Sequence, residues 1–349
     1  MPTQKSRHPG MDILRSLAML MLVGMHFLML SGIFEAADRA MSVYAFAVVG
    51  KAFTATALNC FWLISGYFLC GATTFRRGRF IGLWGWTLFY SVASYGVLAA
   101  LGKCDAIAWH ALFPVTFNVY WFVDVYLALL LVMPAVNAGI RAMSRNVFRN
   151  LLVTLFGLTS LLPVLGVRTF ELGSFSLGWA LVMYLTGAYL RCHDPFARLD
   201  PRRLVLLPSG AGILLLAAVG VNFAAKSRGF GQVFDYSSYA FPATAAFSLA
   251  TFVCFDKLAI RGEAPVARLA ARLAPYVFGV YIIHVSPLFR RLVWPFVTGS
   301  DFRSPLFVVR FLLGVPLVFA VCLLLDAACR GAAGAMRRAM SCRKGDAHE

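Results

Sequence analysis

Residues 16–34 read SLAMLMLVGMHFLMLSGIF and contain no aspartate, glutamate, lysine or arginine. A helix rising ~1.5 Å per residue needs about twenty apolar residues to cross the roughly 30 Å hydrocarbon core of a bilayer. Nine further uncharged runs follow, so the sequence predicts an all-α, polytopic membrane helical bundle of about ten transmembrane helices. These runs are residues 52–75, 80–102, 125–140, 150–167, 172–190, 204–225, 236–255, 273–289 and 311–325.

The composition of the 349-residue chain supports this interpretation, since 60% of its residues are hydrophobic and only 13% are charged. Soluble proteins carry roughly 25% charged residues, so this chain has too little charge to cover a globular surface. Its surplus apolar surface is therefore expected to face lipid. Intrinsic disorder, a disulfide-stapled secreted module and a coiled coil are excluded together, because none of them tolerates this hydrophobicity.

The basic residues predict the orientation of the bundle. The chain has 32 lysines and arginines against 15 aspartates and glutamates, a net charge of +17. With a cytoplasmic amino terminus, 22 of the 32 basic residues fall on the cytoplasmic side, as the positive-inside rule requires. An even number of spans then places both termini in the cytoplasm. Because topology explains the basic charge, no nucleic-acid partner is predicted.

Three segments are predicted along the chain: a cytoplasmic amino-terminal segment at residues 1–10, a transmembrane domain at residues 11–329 and a basic cytoplasmic tail at residues 330–349. The loops are too short to bury a core of their own. One more uncharged run, residues 106–123, is interrupted by Trp109, His110 and Pro114, and we interpret it as a loop or an interfacial segment. The eight cysteines show no C-x-x-C spacing, which indicates neither a disulfide framework nor a metal site.

Ionisable residues inside the predicted spans are candidates for function, because lipid excludes them unless they face the bundle interior. Arg15 and His26 are eleven positions apart, close to three helical turns of ~3.6 residues, so they share one helix face. This spacing places Arg15 at the cytoplasmic headgroups and His26 near the bilayer middle, with Asp12 one turn before Arg15. His284 lies at a similar depth, and either histidine could act as a general base.

The loop after the second span carries three guanidinium groups, those of Arg76, Arg77 and Arg79. Guanidinium groups bind phosphates with paired hydrogen bonds, and this loop is predicted to be cytoplasmic, where phosphorylated cofactors are found. Ordinary positive-inside charge is the alternative explanation. The preceding span has a polar and aromatic side suited to a cavity, formed by Asn59, Trp62, Ser65 and Tyr67.

Five motifs in order resemble those of the acyltransferase-3 family of bacterial membrane O-acyltransferases, over residues 11 to about 325. They are Asp12-x-x-Arg15 with His26, Phe61-Trp62-Leu63-Ile64-Ser65-Gly66-Tyr67, Arg76-x-x-Arg79, Trp121-Phe122-x-x-x-Tyr126 with Pro134, and Phe278-Gly279-x-Tyr281-x-Ile283-His284. The chain is similar to the stand-alone type, which has no extracytoplasmic hydrolase-like domain.

The resemblance implies a multi-pass O-acetyltransferase of the bacterial inner (plasma) membrane. It implies transfer of an acyl group, usually acetyl, from cytoplasmic acetyl-CoA to a hydroxyl of a cell-surface or lipid-linked carbohydrate. No metal cofactor is expected. His26 is expected to deprotonate the acceptor or to carry the acyl group briefly, and Arg15 to fix the cofactor with Arg76, Arg77 and Arg79. His284 either takes part in catalysis or joins helices.

An acceptor site is predicted on the outer side of the membrane, because charged groups and aromatic faces there suit sugar and phosphate recognition. Half of these outer charged and aromatic residues could equally be anchors at the membrane interface. The candidate substrate-binding residues are Asn59, Trp62, Tyr67, Trp121, Asp124, Tyr281, Arg290, Arg291 and Arg310.

A secondary transporter or flippase of a polar or lipid-linked solute is the alternative function. Such proteins also have about ten spans with buried charges, but they are expected to show an internal repeat with interrupted helices at matching positions. No such symmetry is visible between residues 11–138 and 172–325. The sequence makes no prediction of oligomeric state.

Overall fold

The structure is a computed structural model that describes residues 8–104, 109–200 and 203–345. Parts of the predicted segments 1–10, 106–123 and 330–349 therefore lie outside the described residues. Every regular element in the described ranges is helical. The α-helices are α1 (Pro9–Leu30), α2 (Met41–Thr54), α3 (Thr56–Leu69), α4 (Arg77–Ala100), α5 (Trp109–Leu112), α6 (Trp121–Ala142), α7 (Arg145–Phe156), α8 (Leu162–Val164), α9 (Leu177–His193), α10 (Leu206–Ser227), α11 (Pro242–Lys257), α12 (Pro265–Leu273), α13 (Val277–Val285), α14 (Trp294–Thr298) and α15 (Leu306–Gly345).

The expected membrane helices are present in the described residues, and seven helices or contiguous helix groups are long and apolar enough to cross a bilayer. The count of ten stays a prediction, because α9 and α11 have only 17 and 16 residues and α4 is rich in Trp, Tyr, Ser and Thr. The seven are Pro9–Leu30, Met41–Leu69, Trp121–Ala142, Arg145–Val164, Leu206–Ser227, Pro265–Val285 and Leu306–Met336.

The second span begins earlier than its uncharged run. The run starts after Lys51, but α2 already begins at Met41 and includes that lysine. The ammonium group of Lys51 lies over the ring of Phe34, 4.9 Å from its centre, so a neighbouring aromatic face compensates the charge. The uncharged run therefore misses the first part of this helical segment, because α2 includes a lysine.

Helices α3 and α9 pack with their backbones in close approach. A Cβ atom on Gly66 would lie 1.9 Å from the carbonyl oxygen of Tyr184, and one on Gly187 would lie 2.1 Å from that of Leu63. Small residues at such crossings let transmembrane helices gain van der Waals contact that lipid cannot supply. This contact holds α3, which also packs against α1 and α11, at the centre of the bundle.

A network of charged residues joins helix ends at the side of the bundle where α1 begins, which we call the amino-terminal side. The carboxylate of Asp256 lies 3.3 Å from Nε2 of His8 and 3.0 Å from Nζ of Lys257, and Lys257 also pairs with Asp194 at 2.5 Å. Burial raises the pKa of Asp256, but His8, Lys257 and the Tyr67 hydroxyl outweigh it, so the pKa lies below its ordinary value. Asp256 is therefore ionised at neutral pH and holds the ends of α9 and α11 to the start of α1.

Replacement of Gly66 by alanine is expected to lower the unfolding midpoint of the purified protein. The new Cβ would collide with the Tyr184 carbonyl, and overpacking of this kind costs roughly 1–3 kcal/mol. The matched control is Gly96→Ala in α4, where no atom lies within 4 Å of the added Cβ. Equal thermal midpoints for the two variants in detergent would contradict the close approach of α3 and α9.

Candidate active site

Two histidines from distant parts of the chain form a pair inside the bundle. His26 lies in the second half of α1 and His284 near the end of α13, and Nε2 of His284 is 3.1 Å from Nδ1 of His26. The ring centres are 5.0 Å apart, and the His284 side chain is fully buried. Trp294 fixes the end of α13 by donating from Nε1 to the main-chain oxygen of His284 at 2.8 Å.

The partners of the two rings determine where the hydrogens lie. Nδ1 of His284 is 2.6 Å from the carbonyl of Val280, which can only accept, so this nitrogen carries the hydrogen in the neutral ring. Its Nε2 is then an acceptor, and Nδ1 of His26, which also lies 3.0 Å from the Leu22 carbonyl, must donate. Nε2 of neutral His26 is left with a free lone pair and has no hydrogen-bond partner among the described residues. This lone pair can accept a proton.

A cavity of about 400 Å³ runs from the amino-terminal side towards the histidine pair. Arg15 and Arg79 line its outer end, and Tyr281 and Phe122 line its inner end. Neither His26 nor His284 lines this cavity, but the ring of Tyr281 at its inner end is centred 6.0 Å from that of His284. The wall between consists mainly of apolar and aromatic side chains, with Ser65 and Tyr126 as polar exceptions.

The basic residues predicted to bind a cofactor are only partly brought together. Arg15 and Arg79 meet at the cavity, and Nη1 of Arg15 donates to Asp12 at 2.9 Å, as the sequence spacing predicted. Arg76 and Arg77 are exposed at the start of α4 and do not line the cavity. The sequence could not separate the three, because the direction of each side chain depends on where α4 begins.

Of the four residues predicted to form a polar and aromatic side of α3, only Ser65 lines the cavity. Asn59 donates to the Tyr239 carbonyl and the Ser248 hydroxyl at 2.9 and 3.2 Å and accepts from Trp179 at 2.9 Å, so it joins three helices. Tyr67 lies at the amino-terminal side, where its hydroxyl accepts from Arg191 at 3.4 Å. Trp62 is buried in a stack with Phe122 and Tyr126, which forms part of the packing behind the cavity wall.

The residues predicted to bind an acceptor lie towards the opposite side of the bundle, but not as one cluster. Asp124 lies near Tyr281, which lines the inner end of the cavity. Its buried carboxylate oxygens have no hydrogen-bond partner among the described residues. Arg290 follows α13 in a π-helical turn, and its charge lies within electrostatic range of both histidines.

The remaining three predicted acceptor residues each have contacts of their own. Trp121 packs with its ring 4.6 Å from Phe175 and stacks at 6.3 Å on Tyr239. Arg291 donates to the Lys103 carbonyl at 2.7 Å. Arg310 approaches the Thr298 carbonyl at 3.5 Å. Among the candidate substrate-binding residues, Tyr281 and Arg290 are therefore closest to the histidine pair, and Asp124 lies near Tyr281.

A buried carboxylate that was not among the predicted site residues holds the helix of His284 in place. Asp326 of α15 is fully buried, accepts from the Tyr90 hydroxyl and from Nε of Arg330 at 2.6 Å each, and fits against Gly279. A Cβ on Gly279 would lie 2.0 Å from Cγ of Asp326, which explains the glycine in the Phe278-Gly279 motif. Asp326 follows directly after the last uncharged run. Arg330, four positions later, was the sign in the sequence that this carboxylate has a partner on its own helix.

Comparison with known proteins identifies one family. A family model described as an acyltransferase domain, acyltransferase-3, matches residues 8–327. No curated protein and no solved structure matches the chain. In the parts of the chain that the structure describes, no group of three or more histidine, cysteine, aspartate or glutamate side chains could hold a metal ion.

The Tyr90→Phe variant is expected to be less stable than the wild-type protein. It removes one hydrogen bond to a buried carboxylate, and a bond to a charged group contributes roughly 1.5–3 kcal/mol. Tyr95→Phe is the matched control on the same helix, since Tyr95 makes no hydrogen bond among the described residues. A thermal midpoint of Tyr90→Phe equal to that of Tyr95→Phe would contradict the support of α13 through Asp326.

Proposed function

The chain belongs to the acyltransferase-3 family and is a membrane acyltransferase, and from this premise we propose that it moves an acetyl group from cytoplasmic acetyl-CoA to a hydroxyl of a cell-surface or lipid-linked carbohydrate. We place it in the inner membrane of a bacterium, with ten spans and both termini in the cytoplasm. The observation that carries the proposal is one cavity that has Arg15 and Arg79 at one end and, at the other, Tyr281, whose ring is centred 6.0 Å from that of His284.

The shape and charge of this cavity suit an acyl-CoA. Its phosphates cannot enter hydrocarbon cheaply, and Arg15 and Arg79 provide cations at the mouth. The eleven residues from Arg15 to His26 rise by roughly 16 Å, about half of the hydrocarbon core. A flexible thioester arm has to cross only this distance, and the largely apolar wall suits an uncharged chain.

The acceptor is proposed to approach from the opposite side. Arg290 lies within electrostatic range of both histidines, Asp124 lies near Tyr281, and the unpartnered Asp124 carboxylate can accept a hydrogen bond from a sugar hydroxyl. The reacting groups would then meet between two openings on different sides of the membrane. Donor and acceptor need not share an aqueous compartment.

The proposed reaction uses Nε2 of His26 as the base. Nε2 removes the proton of the acceptor hydroxyl as its oxygen attacks the thioester carbonyl, and the carbon–sulfur bond breaks to release the thiolate of CoA. The imidazolium of His26 then returns the proton to that sulfur. His284 orients the ring and stabilises its charged form by accepting from Nδ1, with the hydrogen bond of 3.1 Å already in place.

His26→Ala is expected to lower the rate by a factor of at least roughly 100, which is the usual contribution of a general base. The assay follows radiolabel from acetyl-CoA into saccharide or lipid-linked sugar in inverted membrane vesicles. The control is His193→Ala, which removes a histidine that packs on Tyr189 at the end of α9, away from the cavity.

A folded His26→Ala protein as active as the His193→Ala control would remove the assignment of His26. Labelling by sealed right-side-out vesicles, but not by inverted ones, would contradict the proposed donor side. Absence of label from every sample, with expression confirmed and the acyl donor varied, would favour the transporter alternative.

Arg79→Gln is expected to raise the KM for acetyl-CoA by roughly 10- to 100-fold, because it removes a charge-assisted contact to phosphate. Arg77→Gln removes the same charge two residues earlier, outside the cavity lining, and is expected to leave KM nearly unchanged. Initial rates at varied acetyl-CoA in inverted vesicles separate the two variants. Equal effects would assign these arginines to general surface charge rather than to donor binding.

A further inference from the structure

A second concave surface lies between α2 and α10, on the side of the bundle opposite to the amino-terminal side. Two cations flank one aromatic ring there: Cζ of Arg39 is 4.3 Å from the ring centre of Tyr44, and Nζ of Lys226 is 5.2 Å from it. Two adjoining cavities of about 660 and 240 Å³ share Tyr44, Phe223 and Lys226 as lining residues. We call this surface the Tyr44 groove.

The two cations of the Tyr44 groove form no ion pair with a carboxylate in the described residues. Neither Arg39 nor Lys226 is paired with a carboxylate in the described ranges, and the nearby Asp38 is taken up by Arg303. Two like charges beside one ring repel each other, and an anion between them would turn this repulsion into attraction. The charge pattern therefore favours an anionic ligand.

The rest of the groove indicates that the ligand also has a hydrocarbon chain. Gly220 and Ala224 lie one turn apart on α10 and line the larger cavity, which leaves a shallow strip between Phe223 and Met41. Met41 is 71% exposed, although it is apolar, so the strip opens to the surroundings of the bundle. Helix α10 is one of the membrane-spanning candidates and ends at Ser227, which places the cations at the level of the headgroups.

The loop after α10 is held against that helix by hydrogen bonds and forms one wall of the groove. Asn222 donates to the Phe234 carbonyl at 2.7 Å and accepts from the main-chain N–H groups of Val233 and Phe234 at 2.8 and 2.9 Å. These bonds hold the loop so that Gln232 and Tyr236 close the smaller cavity. The groove is thus pre-formed and pays little for ordering when a ligand binds.

We infer that the Tyr44 groove binds one anionic phospholipid of the surrounding leaflet, with the phosphate between Arg39 and Lys226 and an acyl chain along Gly220 and Ala224. This site is separate from the donor cavity and shares no lining residue with it. It would tie α2 to α10 through a lipid, and its occupancy does not depend on the proposed reaction.

The test measures lipid retention by native mass spectrometry of the delipidated full-length protein in detergent, titrated with phosphatidylglycerol or phosphatidylcholine. The wild-type protein is expected to retain one phosphatidylglycerol and no phosphatidylcholine at equal concentration. Arg39→Gln with Lys226→Gln is expected to weaken phosphatidylglycerol binding by roughly 10- to 30-fold, since each cation near a membrane surface contributes about 1 kcal/mol.

The control variant is Lys103→Gln with Arg168→Gln, which removes two positive charges outside the groove lining. It is expected to bind phosphatidylglycerol as the wild-type protein does. Ala224→Leu keeps both cations but fills the shallow strip proposed to hold the acyl chain. It is expected to weaken the binding of phosphatidylglycerol and to leave the binding of glycerol 3-phosphate, which has no acyl chain, unchanged. Equal retention of both lipids, equal loss in the control, or full binding by Ala224→Leu would each overturn the inference.

Discussion

The hydrogen bond between His26 and His284 is the constraint on which the rest of the structure depends. Hydrocarbon offers no partner to an imidazole, so each ring must satisfy the other, and this requires α1 and α13 to meet at one depth and in one orientation. Helix α13 continues directly from α12 through a 3₁₀ turn and is held by contacts at both of its ends. Trp294 holds its end, and Asp326, bound to Tyr90 and Arg330, holds its start through the close fit against Gly279.

The sequence predicted those features that depend on local geometry. The spacing of Arg15 and His26 places both on one face of α1, and the Arg15–Asp12 pair one turn apart is present. The membrane class and the family also followed from composition and motif order, and the family match confirms the latter. The pairing of His26 with His284 was not predictable, because it joins residues 258 positions apart and depends on how several helices pack.

Polar residues within spans were harder to interpret, because function and internal satisfaction leave the same signal in a sequence. Asn59 looked like a substrate contact, but both of its amide hydrogens and its carbonyl oxygen already have partners, on helices α9 and α11 and in the turn before α11. Asp326 is the opposite case, because this acidic residue at the end of an apolar run was not a candidate and is fully buried. Only three-dimensional partners separate these cases.

A transferase that joins donor and acceptor across a membrane must also keep water from the reacting thioester. A base that can deprotonate a sugar hydroxyl can equally activate water, and hydrolysis would then waste the acyl group. In the proposed reaction, we assign this role to the aromatic rings at the inner end of the cavity, where the ring centre of Phe122 is 5.2 Å from that of Tyr281 and 4.6 Å from that of Trp62. In the proposed reaction, the acceptor hydroxyl itself completes the polar surroundings of Nε2 of His26, and the free enzyme leaves that atom without a partner.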